Sequence, residues 1–201
     1  VKNFYIFLFL ALFSANSFTQ SKFGIGLNAE AAMPMDLFAD LVSTGFGGNV
    51  YGSYSLNENW DITLSAGYIN WAYDIDGAPD NFPDMNFTII PIMAGAKYYF
   101  IQGNVKPYAA LDLGLHIATA EGAIYEDDLV TYSTETKTET KGGWGIGIGC
   151  ISGLSETVSL DISAKLKGNG LEVIKGDEDS GNYEKASVIF FSINAGVKIS
   201  L

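Results

Sequence analysis

The segment GGWGIGIGCISGLSETVSLDISAKLK, residues 142–167, decides the fold. In its first half Trp144, Ile146 and Ile148 alternate with Gly145, Gly147 and Gly149. In its second half Val158, Leu160, Ile162, Ala164 and Leu166 alternate with Ser159, Asp161, Ser163, Lys165 and Lys167. A period of two is the mark of a strand with two different faces, because successive side chains point to opposite sides. Between the halves lie only Leu154, Ser155, Glu156 and Thr157, a link short enough to force an antiparallel hairpin.

The same alternation runs outward in both directions. Upstream, strands are predicted at about Lys22–Met33, Gly45–Leu56, Trp60–Tyr73, Phe87–Phe100 and Lys106–Thr119, and downstream at Ser187–Leu201. With the opening pair these make eight crossings, each long enough for a tilted strand to span the hydrocarbon of a bilayer. The links after the second, fourth and sixth strands are a few residues. Those after the first, third, fifth and seventh are longer: Pro34–Thr44, Asp74–Asn86, Ala120–Lys141 and Asn169–Ala186. Short turns on one rim and long loops on the other are the plan of an outer-membrane barrel. The predicted fold is all-β, an eight-stranded antiparallel up-and-down transmembrane β-barrel.

One face of the predicted strands is apolar throughout. The other carries Glu30, Asp61, Lys97, Asp112, His116, Asp161, Lys165 and Lys198 among glycines and serines. A soluble barrel wets the charged face, whereas a membrane barrel turns it inward, since charge facing lipid costs roughly 2–4 kcal/mol at the midplane. Aromatic residues near the strand ends (Trp60, Tyr98, Phe100, Trp144, Phe191) favour the membrane arrangement. The eight polar residues are then expected to form an interior network that plugs the barrel, with a narrow conduit for small or hydrophobic solutes as the alternative.

Residues 1–20 form a separate unit, with Lys2 followed by a ten-residue apolar run from Phe4 to Phe13 and small or polar residues at 14–17. That run is too short to span a bilayer and fits a signal peptide for Sec export. The barrel domain is placed at 21–201. A lone cysteine, Cys150, excludes an intrachain disulfide and is read as a small hydrophobe. The net charge of −12 excludes nucleic acid as a partner.

The stretch Ile90-Pro91-Ile92 before Lys97-Tyr98-Tyr99-Phe100, the Lys106-Pro107-Tyr108 strand opening, the glycine-alternating segment from Gly143 to Leu166 and the closing FSINAGVKISL together resemble the outer-membrane protein β-barrel domain family. The likeness is to its porin-like, eight-stranded members common in Bacteroidetes, and it covers about Lys22–Leu201. It implies a bacterial outer-membrane location and partners in outer-membrane lipids, lipopolysaccharide and the insertion machinery, and it specifies architecture better than activity. Leu201 stands where such barrels usually end on an aromatic, which implies weaker recognition by that machinery.

No enzymatic chemistry is expected. His116 is the only histidine, so clusters of histidine ligands and two-histidine mechanisms are excluded. The His-x-Ser pair of outer-membrane deacylases is absent, because Ile117 and Ala118 follow His116. No catalytic residue, cofactor or metal site is assigned. The acidic loop residues, Asp74, Asp76, Asp80 and Asp84 in the second long loop, Glu121 to Glu139 in the third and Asp177 to Asp179 in the fourth, form a solvated surface. It suits bridging divalent cations or extracellular ligands better than a dedicated calcium loop. A monomer is expected.

Overall fold

The computed structural model describes residues 22–73, 85–126, 131–177 and 182–201. Within them eight strands close into a single barrel in chain order: β1 (Phe23–Pro34), β2 (Gly45–Ser55), β3 (Trp60–Ala72), β4 (Asn86–Tyr99), β5 (Val105–Glu126), β6 (Thr131–Gly153), β7 (Val158–Asp177) and β8 (Asn182–Ser200). All neighbours are antiparallel, and β1 closes on β8 with Ile25 opposite Ile199 and Ala31 opposite Ile193. Closure removes every sheet edge from the membrane zone, where an unpaired backbone group has no water to turn to. No helix among the described residues is long and apolar enough to cross a membrane.

The alternation settles which face points where. Along β1 the exposed Phe23, Ile25 and Leu27 alternate with Gly24, Gly26 and Asn28, which face inward. The outward surface continues through Ile62, Leu64, Ile92, Leu111, Leu113, Leu115, Ile146, Ile148, Ile162, Ile193 and Val197, an apolar belt with no charge on it. Near the rim with the short turns, Trp60 stacks on Tyr98 at 4.9 Å and Phe23 on Tyr54 at 4.9 Å. These aromatics form one girdle, and Phe46, Tyr68 and Trp144 stand higher on the belt. Phe191, predicted among the aromatic ends, also lies on the outward face, half-buried.

Two of the predicted long loops are corrected by the structure. The strands continue well beyond the membrane zone. β5 and β6 stay paired until Glu126 faces Thr131, and β7 and β8 until Asp177 faces Asn182. The threonine-rich run of β6 explains the first extension, because β-branched residues keep an extended backbone. Pairing of β5 with β4 ends at Ala120, so the six pairs from Glu121 outward continue as a two-stranded ribbon without a β4 partner, about 20 Å long.

The first long loop is also not open. Asp36–Asp40 form a 3-10 helix that turns back into the barrel mouth. Asp36 enters it with φ of 56°, a left-handed conformation that aspartate accepts more readily than most residues. The segment predicted as a signal peptide and the acidic residues Asp74, Asp76, Asp80 and Asp84 lie outside the described residues.

Candidate functional site

The lumen is built in storeys. Nearest the short turns, Lys198 Nζ lies 2.8 Å from Asp61 Oδ2. The same carboxylate accepts hydrogen bonds from the Ser55 hydroxyl at 2.6 Å and the Tyr99 hydroxyl at 2.8 Å. One level up, Lys97 Nζ is 2.7 Å from Asp161 Oδ2, and the hydroxyls of Tyr51 and Tyr108 both donate to Asp161 at 2.6 Å. The Lys97 ammonium also sits over both tyrosine rings, 4.4 and 4.5 Å from their centroids. Next come Lys165 with Asp112 at 2.6 Å, and Lys167 with Glu30.

Four lysines and four carboxylates thus neutralise one another inside the barrel. Each pair joins strands from different parts of the wall: β8 to β3, β4 to β7, β7 to β5 and β7 to β1. Charges this deep persist only when paired and further hydrogen-bonded.

All eight residues predicted for the interior lie there: Glu30, Asp61, Lys97, Asp112, His116 and Asp161 are buried, while Lys165 and Lys198 are half-buried. The sequence prediction omitted Lys167 as the partner of Glu30, and the three tyrosines. Their signal was present, since each occupies the inward parity of its strand. Tyr51 alternates with Gly52 and Val50, and Tyr108 with Ala109.

The glycines of β6 are part of the same construction. A Cβ on Gly143 would stand 2.4 Å from the His116 ring, and one on Gly149 would stand 2.4 Å from the ring of Tyr108. β6 contributes bare backbone so that side chains from β5 can lie across the lumen.

Above the charged levels His116 is fully buried and its Nδ1 is 3.0 Å from the Asn169 amide. Beyond it the inward residues become apolar. Ala32, Ile69, Trp71, Phe87, Ile89, Ala118, Leu171, Val188 and Phe190 form one cluster, and Phe38 of the 3-10 helix closes it from the mouth. The Phe38 ring meets Trp71 at 5.6 Å and Phe87 at 5.3 Å, both edge to face. The Trp71 indole donates to Ala32 O at 3.0 Å. The expected interior was polar throughout, so its upper storey is a finding: Ile69, Trp71, Phe87, Val188 and Phe190 keep the inward parity but change its chemistry.

Among the charged levels, reaching up to His116, lies a cavity of about 40 Å³ bordered by Asn28, Gly67, Pro91, Lys97, Asp161 and Gly145 among others. No group of three or more potential metal ligands occurs among the described residues.

A model of the outer membrane protein beta-barrel domain matches residues 5–198, nearly the whole chain. The chain belongs to this family. It is therefore an outer-membrane β-barrel protein of bacteria.

Among solved structures, Neisserial surface protein A has a TM-score of 0.59 at 21% identity, with 92% of this chain and 100% of that chain covered. A major outer membrane protein of Thermus thermophilus also has a TM-score of 0.59, at 14% identity, covering 88% of this chain and 98% of that chain. Ail, the attachment invasion locus protein of Yersinia pestis, solved with the heparin analogue sucrose octasulfate, has a TM-score of 0.55 at 15% identity, covering 90% of this chain and 100% of its own. At these identities the likeness is one of fold. No curated protein matches the sequence.

Proposed function

We propose that this barrel is a closed, non-conducting scaffold that holds interaction surfaces outside the outer membrane. The observation that carries the reading is the lumen. Four inward-facing ion pairs fill its lower levels, an aromatic and aliphatic cluster fills its upper level, and Phe38 caps the mouth. A solute crossing it would have to break paired charges and lift the 3-10 helix together. The working parts are then the β5–β6 and β7–β8 hairpins, which extend the wall outward.

In this reading residues 1–20 direct export and the insertion machinery assembles the barrel. Membrane lipids and lipopolysaccharide surround it as a monomer, and extracellular ligands meet the hairpins. Ail was solved with a polyanion, but a chain of net charge −12 is a poor match for such a ligand. Of the two faces of β6 at the base of its hairpin, where it pairs with residues 116–120 of β5, one carries Thr138 and Thr140, and the other Lys137, Glu139 and Lys141, where Glu139 pairs with both lysines. A mixed, hydrogen-bonding surface of that kind suits protein or neutral sugar partners.

Purified protein reconstituted in planar bilayers tests the closed lumen. The expected result is no unitary conductance at physiological salt; stable channels would overturn it. A second reading, passage of small or hydrophobic solutes, draws on the apolar upper storey closed by five helical residues. It requires the charged levels beneath to part as well, and liposome swelling with neutral solutes would reveal it.

A further inference from the structure

We infer that the cavity among the charged levels, reaching up to His116, is a binding site for a small cluster of resident water molecules, held by two buried side-chain groups that the protein leaves without partners and by a wall carbonyl that faces a proline. The first is His116. Asn169 Oδ1 accepts the Leu171 amide at 3.0 Å, which fixes the orientation of the Asn169 side chain and aims its Nδ2 at His116 Nδ1. His116 Nδ1 is therefore the acceptor, so the ring proton sits on Nε2. That Nε2 is fully buried and has no hydrogen-bond partner in the protein.

The second group is the Asn28 carbonyl oxygen, also buried and unpartnered. Its own amide is engaged elsewhere. Asn28 Nδ2 donates to Asn49 Oδ1 at 3.2 Å, and Asn49 Nδ2 in turn donates to Asn194 Oδ1 at 3.1 Å.

The third is in the wall. The β3–β4 register pairs Ala66 with Ile92 and Ile69 with Ile89, but the two positions between them are missing from the ladder. At one of them Pro91 faces Gly67, and proline has no N–H to offer the Gly67 carbonyl. This gap lies at membrane depth, between the lipid-facing Ile90 and Ile92, where an orphan carbonyl finds no solvent outside the barrel.

His116, Asn28, Gly67 and Pro91 all border the one cavity of about 40 Å³. At roughly 10–15 Å³ per water on this measure, about three molecules fit. One donor and two acceptors are what such a cluster needs, because each water both donates and accepts. An ion is a worse occupant. The bordering Lys97, Lys165 and Lys167 are already matched by Asp161, Asp112 and Glu30, so the site offers no net charge.

The histidine is the only one in the chain, which makes the test direct. Full-length protein labelled with ¹⁵N-histidine, folded in nanodiscs, is examined by NMR for the ring tautomer and for magnetisation transfer from water to the Nε2 proton. The expected result is an Nε2–H tautomer with a cross-peak to water of long residence time. An Nδ1–H tautomer, or an Nε2 proton without a water contact, would overturn the inference.

Gly145 supplies the control. A Cβ there would meet nothing closer than 3.5 Å, so Gly145→Ala should fold, while Gly145→Val pushes methyl groups into the cavity. The cross-peak should persist in the first and vanish in the second. If the valine variant does not fold, the wild-type spectrum decides alone. Conductance in bilayers would defeat the closed-lumen reading without touching this result, so the two fail separately.

Discussion

Lys97 and Asp161 meet at 2.7 Å inside the barrel although 64 residues separate them and their strands, β4 and β7, are not neighbours. With Tyr51 from β2 and Tyr108 from β5 on the same carboxylate, one aspartate gathers four strands. Such a contact fixes the barrel's cross-section, because the wall cannot flatten without separating the pair.

Removing one partner leaves the other charge buried and alone. Lys97→Met is expected to destabilise the barrel by about 3–5 kcal/mol, and Asp161→Leu by a similar amount. The double variant should be less damaged than the sum of the two, because no uncompensated charge remains. Reversible urea unfolding in lipid vesicles, followed by tryptophan fluorescence, gives all four corners of the cycle. Strict additivity would mean that the pair does not couple the strands.

The mouth is held by packing. Truncating Phe38, which is only 1% exposed, removes an aromatic ring from contact with Trp71 and Phe87. Phe38→Ala should cost about 3–5 kcal/mol if the cluster does not collapse around the void. The same variant should remain non-conducting, because the four ion pairs lie beneath the opened mouth. Bilayer currents in Phe38→Ala with none in the wild type would show that the 3-10 helix alone is the seal.

Much of this architecture was legible in the sequence because a period of two is local: Gly145, Ile146, Gly147 and Ile148 declare their faces without reference to any other strand. The spacing of short and long links was equally local, although after β5 and β7 continued strand occupies most of the predicted long link. What could not be read was contact across the lumen. Lys167 stood on the correct face, yet its match with Glu30 depends on the register accumulated around eight strands. The apolar storey was hidden for a different reason. Trp71 and Phe190 share a parity with Asp61 and Lys198, and a pattern that sorts faces does not sort heights. The 3-10 helix escaped because five residues are too few to show a helical period.

The assignment of faces yields a paired test on β5. Leu113 lies on the lipid belt, and Leu113→Arg there should cost roughly 2–4 kcal/mol. Its neighbour Asp112 points inward to Lys165, so Asp112→Asn keeps the volume and removes the charge of the pair. The arginine variant should lose stability in thick bilayers and recover part of it where the bilayer is thinner, since the guanidinium then reaches the interface. The asparagine variant should be insensitive to bilayer thickness. Equal responses from the two would contradict the inward and outward assignment.

The glycine row of β6 makes the last prediction. Gly143 lies beneath the His116 ring, and a methyl group there would sit 2.4 Å from its nearest atom. The ring has little freedom to move, since Asn169 holds Nδ1 and Phe190 stands 6.5 Å away on the apolar side. Gly143→Ala should therefore be destabilising by about 1–3 kcal/mol through overpacking, against the usual gain when alanine replaces a strand glycine. Removing the imidazole with His116→Ala should relieve the clash, so that Gly143→Ala becomes neutral or favourable in that background. Unfolding midpoints of the two singles and the double decide the matter. If alanine at 143 is equally harmful with and without the imidazole, the glycine serves the β6 backbone rather than His116.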